Sequence, residues 1–194
     1  MAEIRETGAA DVRTRMLDAA LELAWRGGYE ALSVRALAER ANVSSRTIYA
    51  HFPSLDALLI TAIADASEDF YGSLANAPFA GSSAVERVNR LTAYLVETMS
   101  ASRFLTVALV RALVSGKPDV ALFVQEYEAT VNALLVSTIA ADDPTEEERA
   151  AAEILENVWF SAVVGWATGT GSPAYLRAIM DTTGRAVLSS GDNR

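Results

Sequence analysis

Between Leu32 and Leu59 the chain reads LSVRALAERANVSSRTIYAHFPSLDALL, two short helical patterns separated by only three residues. In the first, Ser33 is a good N-cap, and Val34, Leu37, Ala38 and Ala41 recur at helical spacing. Asn42 tolerates the left-handed conformation that a tight turn between helices needs. Ser44 can cap the second helix, which runs through Ser45, Arg46, Thr47, Ile48, Tyr49 and Ala50. Val43 and Ile48 suit the core, which leaves Ser45, Arg46, Thr47 and Tyr49 to face outward. Such a second helix is a recognition helix, placed in the DNA major groove N-terminus first. The candidate DNA contacts here are Ser33, Val34, Ser44, Ser45, Arg46, Thr47, Tyr49 and His51.

Around this motif stand Gly28-Tyr29, Ser33-Val34-Arg35, Leu37-Ala38, Ala41, Val43-Ser44, Thr47-Ile48-Tyr49, His51-Phe52 and Leu58-Leu59. The order is a helix, a Gly-Tyr break, the helix-turn-helix, then Tyr-x-His-Phe leading into a long helix. In these residues the chain resembles the TetR family of bacterial transcriptional regulators. The resemblance implies an all-α fold. An N-terminal three-helix DNA-binding unit, residues 1–53, is expected to precede a helical ligand-binding and dimerisation domain, residues 54–194. Two positions depart from the family pattern. Asn42 stands where Gly is frequent, and Leu55 stands where a phosphate-binding Lys is common. Losing one phosphate contact weakens binding and its salt dependence, but base-edge reading need not suffer.

The formal net charge of −9 is unusual for a DNA binder, and its distribution matters. Residues 1–54 hold seven Arg against seven Asp or Glu, so they are neutral; the remainder holds nine basic and eighteen acidic residues. This is a modest asymmetry and not a basic patch. Only Lys117 among the sixteen basic residues is a lysine. There is no cysteine, which excludes disulfides, thiolate metal sites and cysteine nucleophiles. No apolar run is long enough for a membrane span and the N-terminus lacks a signal-peptide pattern, so a cytoplasmic location is expected.

The first helix is expected over Ala10–Arg26, with Met16, Leu17, Ala20, Leu21 and Ala24 inward and Gly27-Gly28 ending it. Arg13 and Arg15 near its start are candidate phosphate or minor-groove contacts, and they equally suit an ordinary solvated helix start. A fourth helix is expected from Ser54 to about Leu74, then a loop over Asn76–Ser83, with further helices over 84–100, 104–114 and 118–140. Thr145 and Glu148 form a capping box. The acids Asp142, Asp143, Glu146, Glu147 and Glu148 are read as solvated charges at a helix N-terminus, with no metal expected.

The helix that follows carries Ala151, Ile154, Leu155, Val158, Trp159, Ala162, Val163 and Trp166 at unbroken three-one spacing. Gly169 and Gly171 stop it, and Ser172-Pro173 starts a last helix with Leu176, Ile179 and Met180 on one face. Two such hairpins, one per subunit, can form a two-fold four-helix bundle, and the family resemblance implies this homodimer too. Ile154, Val158, Trp166, Leu176, Ile179 and Met180 are its candidate interface. The alternative is that both helices only close the core of one chain. A two-fold dimer would read double-stranded DNA as an inverted repeat.

The family also implies an apolar small-molecule effector held between helices. Candidates for its site are Phe70, Tyr94, Thr98, Phe104, Phe123, Tyr127, Asn157 and Trp159. Mostly apolar walls with a few polar groups suit such a pocket, although core packing is the commoner role for any one aromatic. Arg103 and Arg111 read as surface residues, with an anionic ligand group as the other option. From Phe104-Leu105-Thr106 through Pro144-Thr145-Glu146 to Asn157-Val158-Trp159 and Gly165-Trp166, the chain is similar to sterol-catabolism repressors of the family. That similarity implies a steroid or acyl-CoA thioester. No cofactor is expected. Catalysis is not expected either: His51 is the single histidine, and no nucleophile–base set or Gly-rich phosphate loop can be drawn. A DNA-binding protein without an effector remains the second reading.

Overall fold

The computed structural model describes residues 2–76, 81–140 and 143–188, with side chains described from residue 11 onward and not for residues 68–76. Among these residues there are nine α-helices and no strand. They are α1 (Ala2–Ala31), α2 (Val34–Ala41), α3 (Ser45–His51), α4 (Leu55–Asn76), α5 (Ala84–Ala101), α6 (Arg103–Leu113), α7 (Ala121–Ile139), α8 (Glu146–Ala167) and α9 (Pro173–Leu188). A 3-10 turn, Pro118–Val120, leads into α7, so Pro118 opens that turn and not the α-helix itself. The expected loop over Asn76–Ser83 falls partly outside the described residues, as does Asp142.

The first helix breaks where the sequence indicates, at Gly27-Gly28. Only Gly28 leaves helical geometry, at φ 66 and ψ −160, and the helix resumes through Ala31. Glycine takes positive φ without steric cost, so the helix breaks there, and the residue beyond is held by α4. That residue is Tyr29, whose hydroxyl donates to Asp56 on α4.

The chain divides into two compact units. The first joins residues up to 67 with residues 102–126. In it α1 packs on α2 and on α6, and α2 on α3. Met16, Leu17, Ala20 and Ala24 of α1 are buried, as are Leu37, Ile48, Phe52, Leu58 and Leu59. Residues Asp56 to Ile60 are buried consecutively, so the start of α4 is covered on all sides. A single amphipathic stripe would leave the opposite face wet.

The second unit joins residues 68–101 with those from 127 onward. There α9 packs on both α5 and α8. Its core comprises Val88, Leu91, Leu134, Leu135, Ile139, Ala152, Leu155 and Met180. Arg87 on α5 donates to the carbonyls of Thr138 at 2.8 Å and Ile139 at 2.6 Å, satisfying orphan groups at the C-terminus of α7. The Thr145–Glu148 capping box opens α8 as its sequence indicates.

Asn42 is the one non-glycine residue at positive φ, at φ 53 and ψ 53, among the described residues. It closes α2 with its own amide turned back to the Ala38 and Glu39 carbonyls. Alanine resists this conformation by about 1–2 kcal/mol. Asn42→Ala is therefore expected to lower the thermal midpoint by about 2–4 °C per kcal/mol lost, and Asn42→Gly to leave it unchanged or raised, by calorimetry.

Candidate nucleic-acid interface

The helix-turn-helix is built by short-range hydrogen bonds. The Ala36 amide donates to Ser33 Oγ at 3.2 Å and the Thr47 amide to Ser44 Oγ at 3.0 Å, so both serines are N-caps. The Ser44 and Thr47 hydroxyls share a further bond of 2.8 Å. The Phe52 amide, donating to the Ile48 carbonyl at 2.9 Å, closes α3. After Pro53 and Ser54 the chain turns by 65° into α4.

Ile48 pins α3 from beneath, and Val43 is half-buried beside the turn. Ser45, Arg46, Tyr49 and His51 are exposed, and Tyr49 keeps 57% of its surface accessible. Thr47 and Val34 are half-buried. Among the described residues neither Arg35 nor Arg46 has an ion-pair partner, so both guanidinium groups can meet phosphates or base edges.

Arg13 and Arg15 are engaged inside the protein. Arg13 lies 5.5 Å from the Phe52 ring centre and 4.0 Å from the Asp65 carboxylate. Arg15 Nε donates to the Ala41 carbonyl at 3.2 Å, and its guanidinium also pairs with Asp11. Arg15 therefore ties the C-terminus of α2 to α1, just before the Asn42 turn.

Sequence reasoning missed a polar cluster behind the reading helices. Asp56, the second residue of α4, has no exposed surface. Its carboxylate accepts from the Tyr29 hydroxyl and, at 2.5 Å, from the Lys117 ammonium in the turn after α6. Arg111 covers the Tyr29 ring at 4.2 Å and pairs with Glu30. Burial first, then the Asp56 hydrogen bond, pushes the Tyr29 hydroxyl above its ordinary range. The hydrogen bond to Asp56 raises Lys117 as well. The lone lysine of a chain otherwise using arginine was the one available signal.

The expected effector residues are divided between the two units. Phe70 lies outside the residues whose side chains are described. Phe104 and Phe123 belong to the first unit, and Tyr94, Thr98, Tyr127, Asn157 and Trp159 to the second. Phe104 is 62% exposed, Tyr94, Thr98 and Asn157 are also exposed, and Phe123, Tyr127 and Trp159 are half-buried. Trp159 packs against the second unit's core, and the Asn157 amide donates to the Glu153 carbonyl one turn back. Three candidate dimer residues are corrected: Trp166, Leu176 and Met180 are buried within the protomer, because α8 and α9 also close its own core. Ile154 remains 47% exposed, with Val158 and Ile179 partly so.

Two results are expected from this geometry. Arg15→Met removes a hydrogen bond worth about 1 kcal/mol net, so thermal unfolding becomes easier. The salt slope of duplex binding stays unchanged, whereas loss of a phosphate contact would reduce it by about one. Separately, raised values on Tyr29 and Lys117 favour the protonated forms in the folded state. Their contribution is complete below about pH 10 and is lost as pH rises through the raised values. Tyr29→Phe is expected to flatten part of that alkaline loss in a series of melting curves.

Comparison with known proteins agrees with this architecture. Residues 16–62 match the family described as "Bacterial regulatory proteins, tetR family", and residues 81–187 match "Tetracyclin repressor-like, C-terminal domain". The chain is 33% identical over 182 residues to the HTH-type transcriptional repressor KstR of Rhodococcus jostii, covering 94% of this chain and 85% of that protein. A TetR transcriptional regulator from Rhodococcus sp. RHA1 superposes with a TM-score of 0.80 at 19% identity, over 92% of this chain and 96% of that one. Thermus thermophilus FadR, solved in complex with lauroyl-CoA, superposes with a TM-score of 0.71 at 19% identity, over 94% and 96%. The chain belongs to the TetR family of bacterial regulatory proteins, DNA-binding transcriptional regulators with an N-terminal helix-turn-helix.

Proposed function

We propose that this protein is a cytoplasmic repressor that binds an inverted-repeat operator as a homodimer and leaves it when an apolar small molecule binds. The observation that carries the reading is α3 itself. Ser45, Arg46 and Tyr49 project outward from a capped helix whose underside is fixed by Ile48. Arg46 supplies bidentate donors for guanine, and Tyr49 can contact a thymine methyl or a phosphate. Ser33, Val34, Ser44, Thr47 and His51 fill out the proposed contact set at the helix starts and the end of α3.

Support for repression comes from the similarity to KstR proteins, which are named transcriptional repressors. Pairing of subunits would use Ile154, Val158 and Ile179, the accessible apolar residues of α8 and α9 from the expected set. The effector of this reading is a steroid or acyl-CoA thioester, and the lauroyl-CoA held by the FadR of similar fold supports the acyl-CoA thioester. Tyr127 and Trp159, half-buried in the second unit, are the side chains we assign to its site. Release requires that the effector prefer the conformation unable to bind DNA; equal affinity for both states shifts nothing.

The test is selection of random duplexes by the purified protein at moderate salt. One inverted repeat is expected, with affinity reduced about tenfold or more by Tyr49→Ala or Arg46→Ala, on the scale of one lost base contact. Recovery of no motif, both before and after refolding to strip any co-purified ligand, overturns the reading. A motif retained unchanged in the presence of acyl-CoA and steroid thioesters would favour a regulator without such an effector.

A further inference from the structure

Three residues, Phe52, Pro53 and Ser54, separate the last turn of α3 from the first turn of α4. They have no slack. The Phe52 side chain is buried and its amide closes α3. Ser54 caps α4, its Oγ accepting from the Ala57 amide at 3.2 Å. Whatever sets the first turn of α4 therefore sets the angle of α3. Asp56 lies in that turn, fully buried, and a buried carboxylate demands compensation by a cation or by several donors. Tyr29 supplies one neutral donor, and the cation is Lys117 at 2.5 Å.

Lys117 does not arrive on a loose segment. Gly116 takes φ 67 to turn the chain out of α6, and Val120, buried in the 3-10 turn beyond, anchors it again. The lysine stem is half exposed, with 51% of its side-chain surface accessible, so the ion pair is reachable by water from one side and Asp56 is not. The whole arrangement falls within the first compact unit.

We propose that Lys117 is a positioning residue for DNA reading: by holding the buried Asp56 carboxylate it fixes the first turn of α4, and through Phe52–Ser54 the presentation of α3. The inference rests on the DNA-reading function proposed above. It assigns part of operator selectivity to a residue 71 positions from Arg46 in sequence that meets no base. An ordinary surface ion pair would be worth little here, but removing one partner from a pair whose other member is buried leaves a charge uncompensated.

The experiment compares wild type, Lys117→Met, Lys117→Arg and the double variant Asp56→Asn with Lys117→Met. Hydrogen exchange is followed without DNA, and affinity is measured for the selected operator and for a random duplex at the same salt. Lys117→Met should speed amide exchange over residues 45–60 at least fivefold, leave residues 151–166 unchanged, and weaken operator binding about tenfold. Its affinity for random duplex should stay within twofold, and Lys117→Arg should restore both readouts. The double variant removes the uncompensated charge along with the bridge, so it keeps the test open if Lys117→Met does not fold. It should melt near wild type and still lose operator selectivity. Unchanged exchange, parallel loss on both duplexes, or a double variant with wild-type selectivity overturns the proposal while leaving the DNA-reading function standing. Absence of any selected operator overturns that function, and this proposal with it.

Discussion

A seven-residue helix has no stability of its own in water, because nucleation fixes several dihedrals for each hydrogen bond gained. Yet α3 is that short, and α2 has only eight residues. Both exist because neighbours hold them. Ile48 and Leu37 are buried beneath them, serine side chains satisfy their first amides, and Arg15 satisfies a carbonyl at the end of α2. The outward face of α3 is thereby released from any structural duty. Ser45, Arg46 and Tyr49 can vary with the DNA sequence to be read without unfolding the helix that carries them.

Charge is distributed by the same economy. Of the arginines in the N-terminal segment, Arg13, Arg15, Arg26 and Arg40 all pair with acids of the protein. Among the described residues before α4, Arg35 and Arg46 carry no such pair, and Leu55 contributes no charge.

Elements with a local cause were legible in the sequence. The Asn42 turn, the Ser33 and Ser44 caps and the Thr145–Glu148 box each involve residues within four positions of one another, and each formed as read. Long-range partners were not legible. Nothing local indicates that Arg15 bonds the Ala41 carbonyl, 26 residues away. Asp56 looks like any acid at a helix start, favourable to the macrodipole, until Tyr29 and Lys117 close over it. Periodicity in α8 and α9 showed which residues are inward but not inward to what, so Trp166, Leu176 and Met180 were assigned to a partner although their own chain covers them.

The first compact unit is discontinuous: residues 68–101 lie between its two segments. A ribosome therefore delivers the helix-turn-helix long before it delivers α6, against which α1 packs. Until then α1 has an uncovered face, and the Asp56 carboxylate lacks its lysine. Completing the unit requires closing a long chain loop, a cost that grows slowly with length but delays every contact beyond it. The part of the molecule that reads DNA is thus finished only after α6 has been made, and a fragment cut at the end of the helix-turn-helix would lack the helix that completes it.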